Sequence, residues 1–334
     1  MLQIKNIKRV EPAPHKHEHE HEHEDGHGHD HKHGHHHHHH KPNKLRVFLL
    51  RLVYSNAYLA LPILAITTET YLYLGEFTFN ANFLGFIFFS TLFLYPFHRL
   101  FGIYTTAEFE HTKAQKEVVK HPTLTRVSVI LGFIGTVFFT FQLPLSTLSY
   151  LIPLGIISIA YSIHFIPTFK GWMRLRDIPG IKIYAITLVA TFTTATIPLI
   201  SSGEVGSTDI WLLSIQRFLF ILAITIPFDV RDAHLDKRWN LKTIPLILGN
   251  ERAITLAISL LYVSALLVVF QYFYTGYVGI EIVIANFIAA GFTHFILHDF
   301  KNKNSYLYNA FLIEGAMVYH FALVTIAVIL SDLL

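Results

Sequence analysis

Cysteine is absent from the 334 residues, which excludes disulfides, thiolate metal sites and cysteine nucleophiles. Charge is scarce too. Asp, Glu, Lys and Arg make up 15% of the chain, against about one quarter in soluble domains. With 52% apolar residues and a mean hydropathy of +0.43, this shortage reads as an integral membrane protein. The 26 Lys and Arg nearly balance the 23 Asp and Glu and are spread along the chain, leaving no basic face for nucleic acid. The N-terminus has no apolar stretch of the secretory kind, so no cleaved leader is expected.

What the N-terminus has instead is histidine. Fifteen of the 23 His fall in residues 1–44, as HKHEHEHEHEDGHGHDHKHG followed by six in a row, His35 to His40. With almost nothing apolar to bury, this segment is expected to stay disordered, because no burial offsets the entropy of ordering it. Its neutral imidazoles can bind Zn²⁺ or Ni²⁺ weakly. A solvated low-complexity tail and a purification tag are the alternatives, although a tag does not account for the alternating His and Glu.

From Leu45 the apolar runs reach the roughly 20 helical residues that cross a bilayer. Nine are expected, at Leu45–Leu74, Ala81–Ile103, Leu124–Leu143, Thr147–Phe165, Gly180–Ile200, Asp209–Asp229, Ala253–Tyr274, Val278–His298 and Leu307–Leu330. Loop charge alternates accordingly. Lys and Arg collect in the loops after the second, fourth, sixth and eighth spans, whereas GEFTFNAN, QLPLS, SSGEVGST and YTGYVG contain none. Basic loops lie on the cytoplasmic side, so the N-terminus is expected in the cytoplasm and the C-terminus outside. The reading is an all-α polytopic membrane protein, with nine helices around a central cavity in residues 45–334, preceded by the His-rich tail. Its 29 Phe and 16 Tyr suit a lipophilic cavity, although most such rings pack or face lipid.

Against that apolar background, DVRDAHLDKRWNLKTIPLILG, Asp229 to Gly249, is densely charged. Asp229, Asp232 and Asp236 are spaced three and four apart, which puts them on one face if the sixth helix continues beyond its span. Three unpaired carboxylates repel one another, and Mg²⁺ bridging carboxylates to substrate phosphates would relieve this. By spacing alone, a loop of solvated or paired charges is an equal alternative.

The same stretch resembles the second aspartate-rich motif of the UbiA superfamily of intramembrane prenyltransferases: Asp229, Asp232, Asp236, Lys237, Thr243, Pro245 and Gly249 stand at the matching positions. YSIHFIPTFKGWMRLRDIPGIK, after the fourth span, is similar to the family's Tyr and basic cluster. The resemblance implies nine helices and transfer of a polyprenyl group from its diphosphate to a lipophilic or aromatic acceptor. In that scheme Asp229, Asp232 and Asp236 are the catalytic Mg²⁺ ligands, and Arg99, Tyr161, Arg174, Arg176, Lys182 and Lys237 bind the diphosphate. For the individual cations, loop topology and lipid headgroups are the plain alternative. The family's first aspartate motif has no counterpart in LYPFHRLFGIYTTAEFEHTK, whose nearest carboxylates are Glu108 and Glu110. Arg99 and the loop cations, or those two Glu, are candidates to replace it. A divergent member that binds an isoprenoid or other lipid without the chemistry is the runner-up.

Other polar residues interrupt the spans. Arg217 admits an ion pair with Glu314, a contact to acceptor, or snorkelling to the interface. His294 and His298, with Asp299 and His320, together with the His-rich tail, admit a divalent-metal transporter. Hydrogen-bonded structural His is the commoner case.

Overall fold

The computed structural model describes residues 57–74, 79–105, 122–168, 171–203, 205–238, 241–300 and 309–333. All belong to one compact unit, Asn43–Leu334. The His-rich segment and the Leu45–Asn56 part of the first expected span lie outside the described residues, as do Glu108 and Glu110.

In chain order the helices are α1 (Ala57–Tyr73), α2 (Ala81–Thr105), α3 (Pro122–Thr140) and α4 (Leu145–Ser162). Next comes α5, which opens at Ile181–Thr191, widens into a π turn at Phe192–Thr196 and closes at Ile197–Ser202. It is followed by α6 (Ser207–Arg238), the short α7 (Ile244–Leu248), α8 (Asn250–Tyr274) and α9 (Ile280–Asp299). A second π turn, Asn309–Ile313, leads into α10 (Ala316–Leu333). Among the described residues, eight helices are long and apolar enough to cross a membrane. Of the first expected span, Leu45–Leu74, the described helix is the 17 residues of α1, which is not among those eight.

Two expectations need correction. The fourth span ends at Ser162 instead of Phe165, and the chain then forms an antiparallel hairpin, β1 (Ile166–Thr168) with β2 (Gly171–Met173). The described residues are therefore not wholly helical. Pro167 and Gly171 are poor helix residues, and Ile166 pairs across to Met173. The condition set for the aspartates is met, since the sixth helix runs on to Arg238, nine residues past the end of its apolar span. Arg217 does not pair with Glu314. Its guanidinium meets Glu69 on α1 at 2.9 Å and the Ile66 carbonyl at 2.7 Å.

Packing follows side-chain size. The α2–α3 contact is close because Gly132 presents no side chain, and a Cβ there would strike the Phe93 backbone; small residues let helices approach in this way. The opposite face of α3 holds Ile130, Ile134 and Phe138, each more than half exposed, as suits a helix against lipid. The main core is built by Phe220, Ile224, Leu261, Ala265, Ala290 and Ile313 on α6, α8, α9 and the second π turn.

Beside that core lies a buried charge cluster. Glu69, wholly buried, accepts from Arg217 through Oε1 and meets the His320 Nδ1 through Oε2 at 2.7 Å. Each carboxylate oxygen has a partner. Removing one member of such a buried pair costs about 3–5 kcal/mol, because the other charge is left unpaired.

Candidate functional site

The last three turns of α6 carry Asp229, Arg231, Asp232 and Asp236 beyond the apolar section. Facing them are the second half of α2, the end of α4, the start of α5 and the turn before α10. Together these enclose a cavity of about 490 Å³. Its walls are of two kinds. Leu59, Ile63, Ile186, Val189, Ile221, Ile224 and Met317 form an apolar part, while Arg99, Arg176, Lys182, Asp229, Arg231, Asp232 and Glu314 form a charged part.

The charged part is already partly organised. Lys182, one residue into α5, places Nζ 3.0 Å from Asp229 Oδ1 and 2.9 Å from Asp236 Oδ2. Arg231 forks onto its neighbour Asp232, with Nε at 2.9 Å and Nη2 at 3.1 Å, the planar geometry that Arg favours with carboxylates. On α2, Arg99 donates to the Tyr95 hydroxyl at 2.6 Å and lies over that ring. Arg176 lies over the Tyr161 ring at 5.5 Å. His98 shares a 2.5 Å hydrogen bond with Ser162.

Two atoms in this wall stand out. Asp229 Oδ2 and Arg176 Nε are buried and have no hydrogen-bond partner among the described residues. Buried polar atoms are nearly always satisfied, so both are unfinished contacts in residues that line the cavity. An acceptor oxygen and a donor nitrogen on the wall of one cavity suit a bound cation and a bound anion respectively. The carboxylates offer only hard oxygen donors, which fit Mg²⁺. Among the described residues no three His, Asp or Glu converge as a ready metal centre. Phosphate oxygens would therefore have to complete the coordination, the usual arrangement for Mg²⁺.

Of the residues singled out by sequence, Asp229, Asp232, Arg99, Tyr161, Arg176 and Lys182 line the cavity. Asp236 is buried just behind, held by Lys182. Arg174 and Lys237 stand apart from it. Arg174 is committed to Asp177, which it grips through Nε at 2.9 Å and Nη2 at 2.9 Å around a single 3₁₀ turn. Burial alone would raise the Asp177 carboxyl, but the Arg174 side chain and backbone N–H outweigh it and hold that carboxyl below its ordinary range. Lys237 points to the exposed side of α6.

Sequence reasoning did not assign Arg231 or Glu314 to the site. Arg231 reads as one more loop cation. Glu314 reads from sequence only as a partner for Arg217; a carboxylate inside the last apolar run is the available signal. His294 and His320 are each hydrogen-bonded, to Tyr262 at 2.9 Å and Glu69 at 2.7 Å.

No protein-family model and no curated protein matches the sequence. Solved structures do match the fold. A UbiA homolog from Archaeoglobus fulgidus bound to GPP and Mg²⁺ is 18% identical, with 83% of this chain covering 99% of that one at a TM-score of 0.51. The same homolog bound to DMAPP and Mg²⁺ gives 17%, 83%, 99% and 0.49. A digeranylgeranylglyceryl phosphate synthase gives 13%, 85%, 97% and 0.48. At these identities the likeness is one of fold, and the argument for it rests on the first comparison.

Proposed function

We propose that this chain, which has the UbiA fold, transfers a polyprenyl group from its diphosphate to a lipophilic or aromatic acceptor inside the membrane. The observation that carries the reading is the orphaned Asp229 Oδ2 on the wall of a cavity that is charged in one part and apolar in the other. An isoprenoid diphosphate has the same division. Its diphosphate fits among Arg99, Arg176 and Lys182, and its hydrocarbon fits against Ile186, Val189 and Ile224. The geranyl diphosphate and Mg²⁺ of the Archaeoglobus homolog support this ligand class.

Asp229, Asp232 and Asp236 would hold Mg²⁺, which when bound neutralises charge on the departing diphosphate. The remaining contributions come from the chain itself. Arg176, with an unpaired Nε, donates to phosphate oxygen. Arg99 stands in the region where the family's first aspartate motif is missing and supplies positive charge there. The apolar wall excludes water from the reacting carbon, and the Tyr95 and Tyr161 rings offer π faces to positive charge nearby. Lys182 neutralises Asp229 and Asp236 until ligand arrives.

The test is release of pyrophosphate from geranylgeranyl or farnesyl diphosphate by purified protein, with a membrane lipid extract as the source of acceptor. Mg²⁺-dependent release is expected. Binding of isoprenoid with no release would support the second reading, a divergent lipid-binding member. The Lys182 bridge favours that reading, since it already engages one oxygen each of Asp229 and Asp236. In either case the proposed topology has a cytoplasmic N-terminus and an outside C-terminus, with residues 1–44 a separate tail that binds Zn²⁺ or Ni²⁺ weakly.

A further inference from the structure

Outside the aspartate run, Glu314 is the one carboxylate on the cavity wall among the described residues. It comes from the opposite end of the chain, and the local structure is built to present it. The π turn Asn309–Ile313 ends at the residue before it. Gly315, the residue after it, packs so closely that a Cβ would collide with the Phe311 carbonyl oxygen. The Tyr58 hydroxyl donates to that same carbonyl at 3.3 Å, with the two rings 4.7 Å apart. π turns of this kind re-aim side chains and recur at functional sites.

The Glu314 carboxylate makes no hydrogen bond or ion pair with any described side chain. Arg99, Arg231 and Tyr58 are its polar neighbours, and Met317 brings the apolar wall up beside it. It does not join Asp229, Asp232 and Asp236 in a metal-binding group. A half-buried carboxylate on the cavity wall, kept apart from the metal-type cluster, is placed to accept a proton.

We propose that Glu314 is the general base of the transfer, which makes the acceptor a lipophilic alcohol or phenol whose O–H it deprotonates. This rests on the prenyl-transfer reading. The carbon–oxygen bond to the diphosphate breaks, and its electron pair leaves on pyrophosphate. An acceptor oxygen lone pair forms the new bond to the allylic carbon, and the acceptor proton passes to Glu314 and then to solvent. Nothing is oxidised or reduced.

Ionisation of the donor does not need this base, so the two halves of the reaction come apart. With radiolabelled geranylgeranyl diphosphate, Mg²⁺, and hexadecylphenol or hexadecylglycerol as acceptor, pyrophosphate and prenylated product are measured separately. Glu314→Gln is expected to keep pyrophosphate release within about two-fold while product falls by about 100-fold, with the prenyl group diverted to water as free prenol. The Mg²⁺ concentration for half-maximal release should not move, and Glu314→Asp should restore part of the product. Asp229→Asn, by contrast, should lose both readouts. Equal loss of both in Glu314→Gln, a raised Mg²⁺ requirement, or no change at all would each overturn the assignment. So would wild-type protein that releases pyrophosphate yet prenylates neither acceptor. Wild type that releases no pyrophosphate removes the transfer reading, and this inference with it.

Discussion

Two clusters of buried charge lie along α6, about three turns apart, and they differ in completeness. In the first, Glu69 has both oxygens engaged, one by Arg217 and one by His320, and Arg217 also reaches the Ile66 carbonyl. In the second, Lys182 bridges Asp229 and Asp236, but Asp229 Oδ2 is left without a partner, as is the nearby Arg176 Nε. The first is closed on all sides by protein; the second opens on a cavity. A satisfied cluster holds α1, α6 and α10 together, whereas an unsatisfied one has capacity for a ligand.

The largest expected effect separates the two. Glu69→Ala should destabilise the protein by about 3–5 kcal/mol, read as a shift in the denaturant midpoint of protein in micelles. Asp229→Asn leaves Lys182 paired with Asp236 and should move that midpoint by much less, while reducing Mg²⁺-dependent diphosphate binding by at least about ten-fold, the scale of one lost charged contact. If Asp229→Asn unfolded the protein as readily, the contrast between the clusters would be lost.

Next comes the pair of cations in the loop between α4 and α5. Arg176 has an unpaired nitrogen and lines the cavity, whereas Arg174 has its Nε and Nη2 turned onto Asp177 and stands off the cavity wall. Isothermal titration with a prenyl diphosphate should show Arg176→Ala weakening binding by about 1.5–3 kcal/mol, and Arg174→Ala by much less. Arg99→Ala is expected to behave like Arg176→Ala. Glu108→Gln with Glu110→Gln should change little if positive charge, not a replacement carboxylate, fills the place of the missing first motif.

Lys182→Met gives a subtler readout. With the bridge removed, Asp229 and Asp236 repel each other, so Mg²⁺ should raise the melting temperature of the variant more than that of wild type. An equal Mg²⁺ response in both would mean that Lys182 and the metal do not compete for the same oxygens. The smallest effect is reserved for deletion of Met1 to His40, which should leave prenyl-diphosphate binding as it was, because the tail is expected to supply no part of the cavity wall.

Much of this arrangement could be read from the chain before any coordinates. The spans are legible because each apolar run must satisfy its own backbone in lipid, which leaves helix as the state for an isolated segment. Asp229, Asp232 and Asp236 are legible as a face because helical spacing brings residues three and four apart together. The hairpin after α4 was not legible, since three-residue strands carry too short a pattern to distinguish from the end of a span. Nor was the partner of Arg217. Glu69 and Glu314 are both carboxylates in apolar runs, and no local rule decides which one a distant Arg will meet.

By itself, then, the sequence determined that the protein lives in a membrane, where its helices run and which stretch of them concentrates carboxylates. These properties depend on composition and on short-range periodicity, which every segment expresses on its own. Only the tertiary structure decided that Lys182 bridges Asp229 and Asp236, that Asp229 keeps a free oxygen, that Arg174 is occupied by Asp177, and that Glu314 reaches the cavity from the last helix. Each of these is a contact between residues or a vacancy among them, several joining residues far apart in the chain. Their energies come from which side chains share a buried space, and that is set by the packing of all the helices at once.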